Sequence, residues 1–238
     1  HILREKYLRE LMGEIEAACR ELEIEIMGGH TEISNVVNQP VVTVTGVGKV
    51  KKEKLVSTGG LQVGDDLVLT KWAGLEGTAI IAAQKREKLL ETLPEELVDT
   101  AADFYQYLSV VPEAKIAVET GVSAMHDVTE GGIFGALWEI GAAADLGISA
   151  DLTKIPIRQE TIEVCEVFGI NPYQMMSSGS MLIGCAKGNL LVDRLKESGI
   201  PAAVIGRATD SNDRVITNGE ETRFLEPAGS DELYKIYE

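Results

Sequence analysis

Two glycine-containing segments hold the residues of this sequence that are best suited to chemistry. One is Gly28-Gly29-His30-Thr31-Glu32, and the other is His126-Asp127-Val128-Thr129-Glu130-Gly131-Gly132. Each places glycines beside carboxylate and hydroxyl side chains. Backbone amides at glycine turns and helix N-termini favour phosphate, and one carboxylate can hold a Mg²⁺ ion that bridges to phosphate oxygens. Both segments therefore suggest a metal–phosphate site.

The second segment has an equally simple structural interpretation. Asp127 is followed three positions later by Glu130, as in a capping box, and the glycines could let a helix pack closely on a sheet. In the first segment, a strand-end turn with a polar tip explains the same residues, and His30 and His126 can be hydrogen-bonded loop histidines. These alternatives remain open from the residues alone.

Several common signatures are missing from the 238 residues. The sequence has neither a G-x-x-x-x-G-K-[ST] motif nor a serine elbow, and Gly46-Val47-Gly48-Lys49 fits no nucleotide-binding pattern. A net charge of −16 argues against nucleic acid as the main partner. No apolar run is long enough for a membrane span, so we expect a cytoplasmic protein. Cys19, Cys165 and Cys185 stand among apolar neighbours and are expected to be buried.

The elements that position these segments follow from hydrophobic periodicity and turn formers. An amphipathic helix is predicted over residues 3–22, and strands over residues 24–27 and 41–47. Turn formers at Ser57-Thr58-Gly59-Gly60 predict a domain boundary, which gives domains 1–56 and 57–238. Helices and strands then alternate, which predicts an α/β (α+β) fold. Strands are expected over residues 67–70, 148–152, 181–186, 202–208 and 214–217, and helices over residues 77–90, 94–108, 112–121, 133–144, 158–168 and 190–198.

Six motifs in one order carry a resemblance to a known family. They are Gly28-Gly29-His30-Thr31-Glu32, Thr45-Gly46-Val47-Gly48, Gly64-Asp65-Asp66-Leu67-Val68, the segment from His126 to Gly132, Ile155-Pro156-Ile157, and Ser178-Gly179-Ser180-Met181-Leu182. In this order the chain resembles the superfamily of aminoimidazole ribonucleotide synthetase, selenophosphate synthetase and thiamine-monophosphate kinase. Within it, the chain looks most similar to the hydrogenase-maturation carbamoyl dehydratase and to synthase-related proteins.

The resemblance implies a remnant of an N-terminal mixed-sheet domain, which binds ATP and forms a homodimer, followed by a C-terminal α/β sandwich domain. It also implies ATP- and Mg²⁺-dependent phosphorylation of a substrate oxygen. Matching positions assign Asp127 to the metal. They assign the nucleotide site to Gly28, Gly29, His30, Thr31, Glu32 and Thr129.

Three departures from the family pattern set further expectations. The family's early acidic strand and glycine-rich segment precede the helix with which this chain begins, so we expect an N-terminally truncated and inactive chain. The dehydratase ends in a cysteine, whereas this chain ends Lys235-Ile236-Tyr237-Glu238. Ser177-Ser178-Gly179-Ser180 replaces an Asn-Glu-Gly-Lys segment and so removes a carboxylate and a lysine. A small-molecule substrate is therefore favoured over a protein thiol.

The leading hypothesis is a parent protein that acts as a synthetase or kinase and activates a small-molecule oxygen by phosphorylation. A non-catalytic ligand-binding or assembly module is the alternative from another class. Hydrogenase maturation is a further alternative. The residues identify neither the substrate nor a catalytic acid or base.

Overall fold

The structure is a computed structural model that describes residues 5–237. The chain divides into two compact units, of which the first ends at Val50 and the second begins at Lys51. The domain boundary expected between residues 56 and 57 lies a few residues further along and remains a prediction. Among the described helices, none combines the length and apolar character that a membrane span requires.

The first unit contains the helix α1, Glu5–Glu21. It agrees with the helix predicted over residues 3–22, although residue 3 lies outside the described residues. Pairs of opposite charge four residues apart line its surface, including Arg9 with Glu5 at 2.7 Å and Arg20 with Glu16 at 2.7 Å. Such pairs each add a few tenths of a kcal/mol to a helix.

The strands predicted over residues 24–27 and 41–47 are wrong, because the described part of the first unit contains no strand. The backbone there forms no sheet ladder, and Val41, Val44 and Val47 are 72%, 76% and 94% exposed. Branched side chains favour an extended backbone, but a strand also needs a neighbour that accepts its hydrogen bonds. The β-branched residues therefore indicate only a local backbone preference, and no neighbouring strand is present among the described residues to form a sheet.

The second unit is built on one mixed sheet of seven strands. Its strands are β1 Asp66–Thr70, β2 Ala124–Asp127, β3 Gly147–Asp151, β4 Met181–Cys185, β5 Ala202–Thr209, β6 Arg214–Asn218 and β7 Glu221–Phe224. Their order is β2-β4-β1-β5-β3-β6-β7, and every pair is antiparallel except β3 with β6. The helices are α2 Leu75–Gln84, α3 Arg86–Leu89, α4 Glu95–Ala102, α5 Val111–Thr120, α6 Gly132–Ala144, α7 Gln159–Phe168 and α8 Gly188–Glu197. The predicted α/β class is confirmed.

Helices cover both faces of this sheet. Alternate residues of β1 serve opposite faces: Leu67 and Leu69 pack in the cluster that contains α6, and Val68 packs in the cluster that contains α8. A third cluster joins α2, α4 and α7, and it includes Val98 and Val164. β1 is thus buried on both sides, which explains its almost continuous apolar sequence.

Sequence reasoning missed two elements near the C-terminus. β7 completes a hairpin with β6, in which Asn218 pairs with Glu221 and Gly219 has a φ of 62°. The turn at Asn218-Gly219 was therefore predicted correctly, but the second strand was not. The other missed element is a 3-10 segment, Glu232–Tyr237.

This C-terminal segment caps the start of α6. Asp231 is 2% exposed, and its Oδ2 accepts a hydrogen bond of 2.7 Å from the amide of Gly131, the residue before α6. Its Oδ1 accepts 2.8 Å from the amide of Leu233. A carboxylate at this place also interacts favourably with the helix dipole. A residue one hundred positions away therefore supplies the anion that the α6 N-terminus favours.

A second buried charge lies where β1 ends. Lys71 Nζ is 2.6 Å from Glu113 Oε1, and the two side chains are 7% and 1% exposed. The ammonium also donates to the carbonyls of Tyr107 at 2.7 Å, Ser109 at 2.8 Å and Gly179 at 2.8 Å. Within the described residues Glu113 accepts no well-aligned hydrogen bond, so the ion pair is what compensates its buried charge.

Removal of the Glu113 carboxylate is expected to destabilise the second unit strongly. Glu113→Ala should lower the free energy of unfolding by about 3–5 kcal/mol, because it leaves the Lys71 charge buried and less compensated. Urea denaturation followed by circular dichroism measures this loss. As a matched control, Glu10→Ala breaks the exposed contact with Lys6 at 3.6 Å and should cost less than about 1 kcal/mol. Losses of equal size would contradict the proposed role of the buried pair.

The Asp231 cap gives a second stability prediction. Asp231→Ala should lower the free energy of unfolding by about 1–3 kcal/mol, because two buried amides lose their acceptor. Asp231→Asn keeps one acceptor oxygen and should cost less. Asp210→Ala, at an exposed acid, serves as the control. An Asp231→Ala protein as stable as the control in urea would show that the carboxylate does not hold α6.

Candidate functional site

Asp127 is the last residue of β2, which lies at the edge of the described sheet and pairs there with β4. Its side chain is 66% exposed, and its ionic contact within the described residues is with His126, at 3.9 Å from Nδ1 to Asp127 Oδ1. The next residue, Val128, is fully buried and its amide donates 3.1 Å to Ser180. The carboxylate is thus held at an anchored strand end and faces solvent.

The capping-box interpretation of Asp127 and Glu130 is wrong. Helix α6 begins at Gly132, and the residue before it is Gly131, with a φ of 77°. Four residues, 128–131, separate Asp127 from the first residue of α6, and the first of them, Val128, is buried. Asp127 is therefore too far from the helix to cap it, and this leaves its carboxylate to other partners.

The two glycines before and at the start of α6 do not offer free amides to a phosphate. The Gly131 amide donates to Asp231 at 2.7 Å, and the Gly132 amide donates to Thr129 at 3.1 Å. A Cβ on Gly131 would lie 2.8 Å from the Ala228 Cβ, and one on Gly132 would lie 2.6 Å from the Tyr173 carbonyl oxygen. Both glycines are thus required by close packing and by positive φ. Thr129 itself is exposed, and its role at a nucleotide remains a prediction.

His126 is oriented by a residue that sequence reasoning did not find. Its Nε2 lies 2.8 Å from Glu139 Oε2, and the two side chains are 18% and 44% exposed. Glu139 belongs to α6 and His126 to β2. Only the packing of this helix against the strand brings them together, so no spacing in the sequence signals the pair.

The first glycine-containing segment lies in the first unit. Gly28, Gly29, His30, Thr31 and Glu32 are all exposed, and His30 Nε2 lies 3.9 Å from Glu32 Oε2. A Cβ on either glycine would meet nothing within 4 Å, and neither has a positive φ. Packing within the described residues therefore does not require glycine at these positions.

Two of the three serines that replace the dehydratase's Asn-Glu-Gly-Lys segment are structural. Ser177 accepts 2.6 Å from the amide of Gly74, and Ser180 donates 2.7 Å to the carbonyl of Trp72. Both are fully buried. They connect the loop before β4 to the segment between β1 and α2 and present no group to solvent.

Two of the thiols can be set aside as nucleophiles. Cys165 and Cys185 are buried, as predicted, whereas Cys19 is only partly buried and the prediction for it is wrong. Burial raises the pKa of the Cys165 thiol to about 12 and also raises the pKa of Cys185. A thiol that stays protonated at neutral pH is a poor nucleophile. The candidate chemistry of the second unit therefore centres on carboxylate and imidazole groups.

Magnesium fits the donors around Asp127 in one specific way. The described residues contain no group of three or more His, Cys, Asp or Glu side chains that could hold a metal ion. Mg²⁺ commonly uses one or two carboxylates and completes its shell with water and substrate phosphates. An exposed carboxylate at a rigid strand end suits that arrangement, whereas a cage made of protein ligands alone is not formed here.

Comparisons with known proteins match both units. The carbamoyl dehydratase HypE of Rhodobacter capsulatus is 27% identical over 84% of this chain and 58% of its own length. A structure of the hydrogenase maturation protein HypE in complex with ATP has a TM-score of 0.60 and 16% identity, over 78% of this chain and 57% of that one. AaThiL complexed with AMPPCP and TMP has a TM-score of 0.68 and 15% identity, over 96% of this chain and 69% of that one.

The chain thus spans a little over half the length of HypE from Rhodobacter capsulatus. At these identities the two solved structures establish the fold. Residues 2–50 match the N-terminal domain of AIR synthase related proteins. Residues 62–218, well over half of the chain, match their C-terminal domain. The predicted resemblance is therefore confirmed, and the chain belongs to the AIR synthase related protein family.

Proposed function

We propose that the protein is an ATP- and Mg²⁺-dependent enzyme that activates an oxygen atom of a small molecule by phosphorylation. The observation that carries the proposal is the Asp127 carboxylate, which is 66% exposed at the end of an anchored strand and is not used as a helix cap. Its place in the second of two ordered family domains supports the assignment. The proposal specifies the substrate only as a small molecule with an oxygen atom that accepts the phosphoryl group.

The proposal assigns metal binding and nucleotide binding to different residues of the chain. Asp127 would hold the metal, and Gly28 and Gly29 would let the backbone of their loop approach the nucleotide, with His30, Thr31 and Glu32 beside it. Thr129 is the remaining nucleotide contact in the proposal. When bound, Mg²⁺ neutralises and positions the phosphates, and phosphoryl transfer asks little covalent chemistry of the protein. This agrees with a site that contains no reactive thiol among the residues of the second unit.

Ligands of two similar structures support the cofactor and the substrate class. One HypE structure is a complex with ATP, and AaThiL is a complex with AMPPCP and TMP. The second complex contains a small molecule, TMP, beside AMPPCP. Replacement of the dehydratase's Glu and Lys by Ser178 and Ser180 also favours a small molecule over a protein thiol.

A homodimer formed through the first unit belongs to the same proposal. Val41, Val44 and Val47 expose apolar side chains on a backbone without a sheet partner in the described residues. Pairing with a second copy would supply the missing hydrogen bonds. We place the protein in the cytoplasm, where its nucleotide and metal are available.

Hydrogenase maturation is a second candidate function. Similarity to HypE from Rhodobacter capsulatus over 84% of this chain favours it. A non-catalytic ligand-binding module is favoured instead by Asp231, which fills the α6 N-terminus, and by the structural role of Ser177 and Ser180. Release of ADP that depends on Asp127 and on an added small-molecule acid or amide would decide for the enzyme and against the module.

Titration calorimetry with Mg²⁺ and ATP on the full-length protein tests the leading proposal. Asp127→Asn is expected to weaken metal-dependent ATP binding at least about tenfold, which corresponds to about 1.4 kcal/mol. Glu130→Gln, three residues away and also exposed, is the matched control and should bind like the wild type. Equal affinities for wild type and Asp127→Asn would remove Asp127 from the metal site.

A further inference from the structure

We propose that His126 is a second metal ligand beside Asp127 and that Glu139 orients it for this role. With one nitrogen donor from His126 and one oxygen donor from Asp127, the site would also bind a first-row transition-metal cation such as Mn²⁺. The inference rests on the proposed function only in placing a divalent metal at Asp127. What it adds is the identity of the second donor and the class of metal that it favours.

The contact with Glu139 assigns the two imidazole nitrogens. Nε2 of His126 lies 2.8 Å from Glu139 Oε2. An ionised carboxylate only accepts hydrogen bonds, so Nε2 must carry the hydrogen in this contact. In the neutral imidazole, Nδ1 then has its lone pair available. A carboxylate that holds one ring nitrogen while the other binds a metal is the usual support of a histidine ligand.

The environment of Nδ1 points to an external partner. Within the described residues the side-chain hydrogen bond of His126 is the one made by Nε2. Nδ1 lies 3.9 Å from Asp127 Oδ1, which is too far for a hydrogen bond. The imidazole is only 18% exposed and is fixed, whereas the Asp127 carboxylate is 66% exposed and can rotate. Two donor atoms thus lie side by side with no proton shared between them.

These distances suit two adjacent positions around one cation. Metal–donor bonds of about 2.0–2.2 Å at a right angle place two donor atoms about 3 Å apart. Rotation of the exposed Asp127 side chain can shorten the observed 3.9 Å to that value. The described residues offer no third ligand group, so water or phosphate oxygens would complete the shell.

The donor set decides which cations compete for the site. Carboxylate and water suit Mg²⁺ and Mn²⁺ alike, while imidazole suits transition metals. Mg²⁺ therefore gains little from His126, and Mn²⁺ gains a nitrogen ligand. If His126 and Glu139 only tied β2 to α6, neither residue would alter the choice between these cations.

Electron spin-echo envelope modulation of bound Mn²⁺ tests the inference in the full-length protein. The expected result is a nitrogen modulation from one imidazole in the wild type and its loss in His126→Gln. The control is Glu130→Gln, at an exposed acid four residues from His126, which should keep the modulation. The preference for Mn²⁺ over Mg²⁺, measured by competition, should fall at least about tenfold in His126→Gln. Glu139→Gln should weaken Mn²⁺ binding about 10- to 100-fold.

The possible failures can be told apart. If Asp127→Asn abolishes Mn²⁺ binding while His126→Gln leaves affinity and spectrum unchanged, the metal site stands and the histidine ligand is overturned. If Asp127→Asn also binds Mn²⁺ as the wild type does, the placement of the metal in the proposed function fails as well. Should His126→Gln not fold, Mn²⁺ broadening of histidine-ring NMR signals in the wild type decides. Selective broadening of the His126 ring supports the ligand, and an unchanged His126 ring overturns it.

Discussion

The ammonium group of Lys71 joins four parts of the second unit. Lys71 itself follows β1, and its ammonium pairs with Glu113 of α5. The ammonium also donates to the carbonyls of Tyr107 and Ser109, before that helix, and of Gly179, before β4. A buried charge is expensive unless every polar partner is in place. The loop that supplies Gly179 also contains Ser180, whose carbonyl accepts the hydrogen bond of the Val128 amide, next to Asp127.

The start of α6 shows how the family's glycine motif serves structure in this chain. A helix N-terminus favours an anion, and here a buried carboxylate of the C-terminal segment meets that preference. The glycines admit the backbone around Tyr173 and the side chain of Ala228. The side chains that remain available for chemistry lie before the helix, at the end of β2. Asp127 and His126 stand there with the orienting carboxylate of Glu139.

Sequence periodicity predicted most of the second unit because its elements are defined locally. β1 and α6 were found within one or two residues of their observed ends, since burial dictates an apolar pattern at each position. The contacts of Asp231 with Gly131 and of Glu139 with His126 could not be predicted, because tertiary packing alone brings these residues together. Asp127 was correctly placed at a strand end, but its distance from the helix depended on the anchoring of Val128.

The exposed valine stretch of the first unit, residues 41–47, has a practical consequence for handling the protein. Within the described residues these valines lie on a backbone without a sheet partner, and they present the apolar surface and the open hydrogen-bonding groups on which cross-β stacking grows. The lysines at positions 49, 51, 52 and 54 follow this stretch directly, and their like charges repel one another between stacked copies. Colloidal stability of such a chain should therefore be highest at low ionic strength, where that repulsion is least screened.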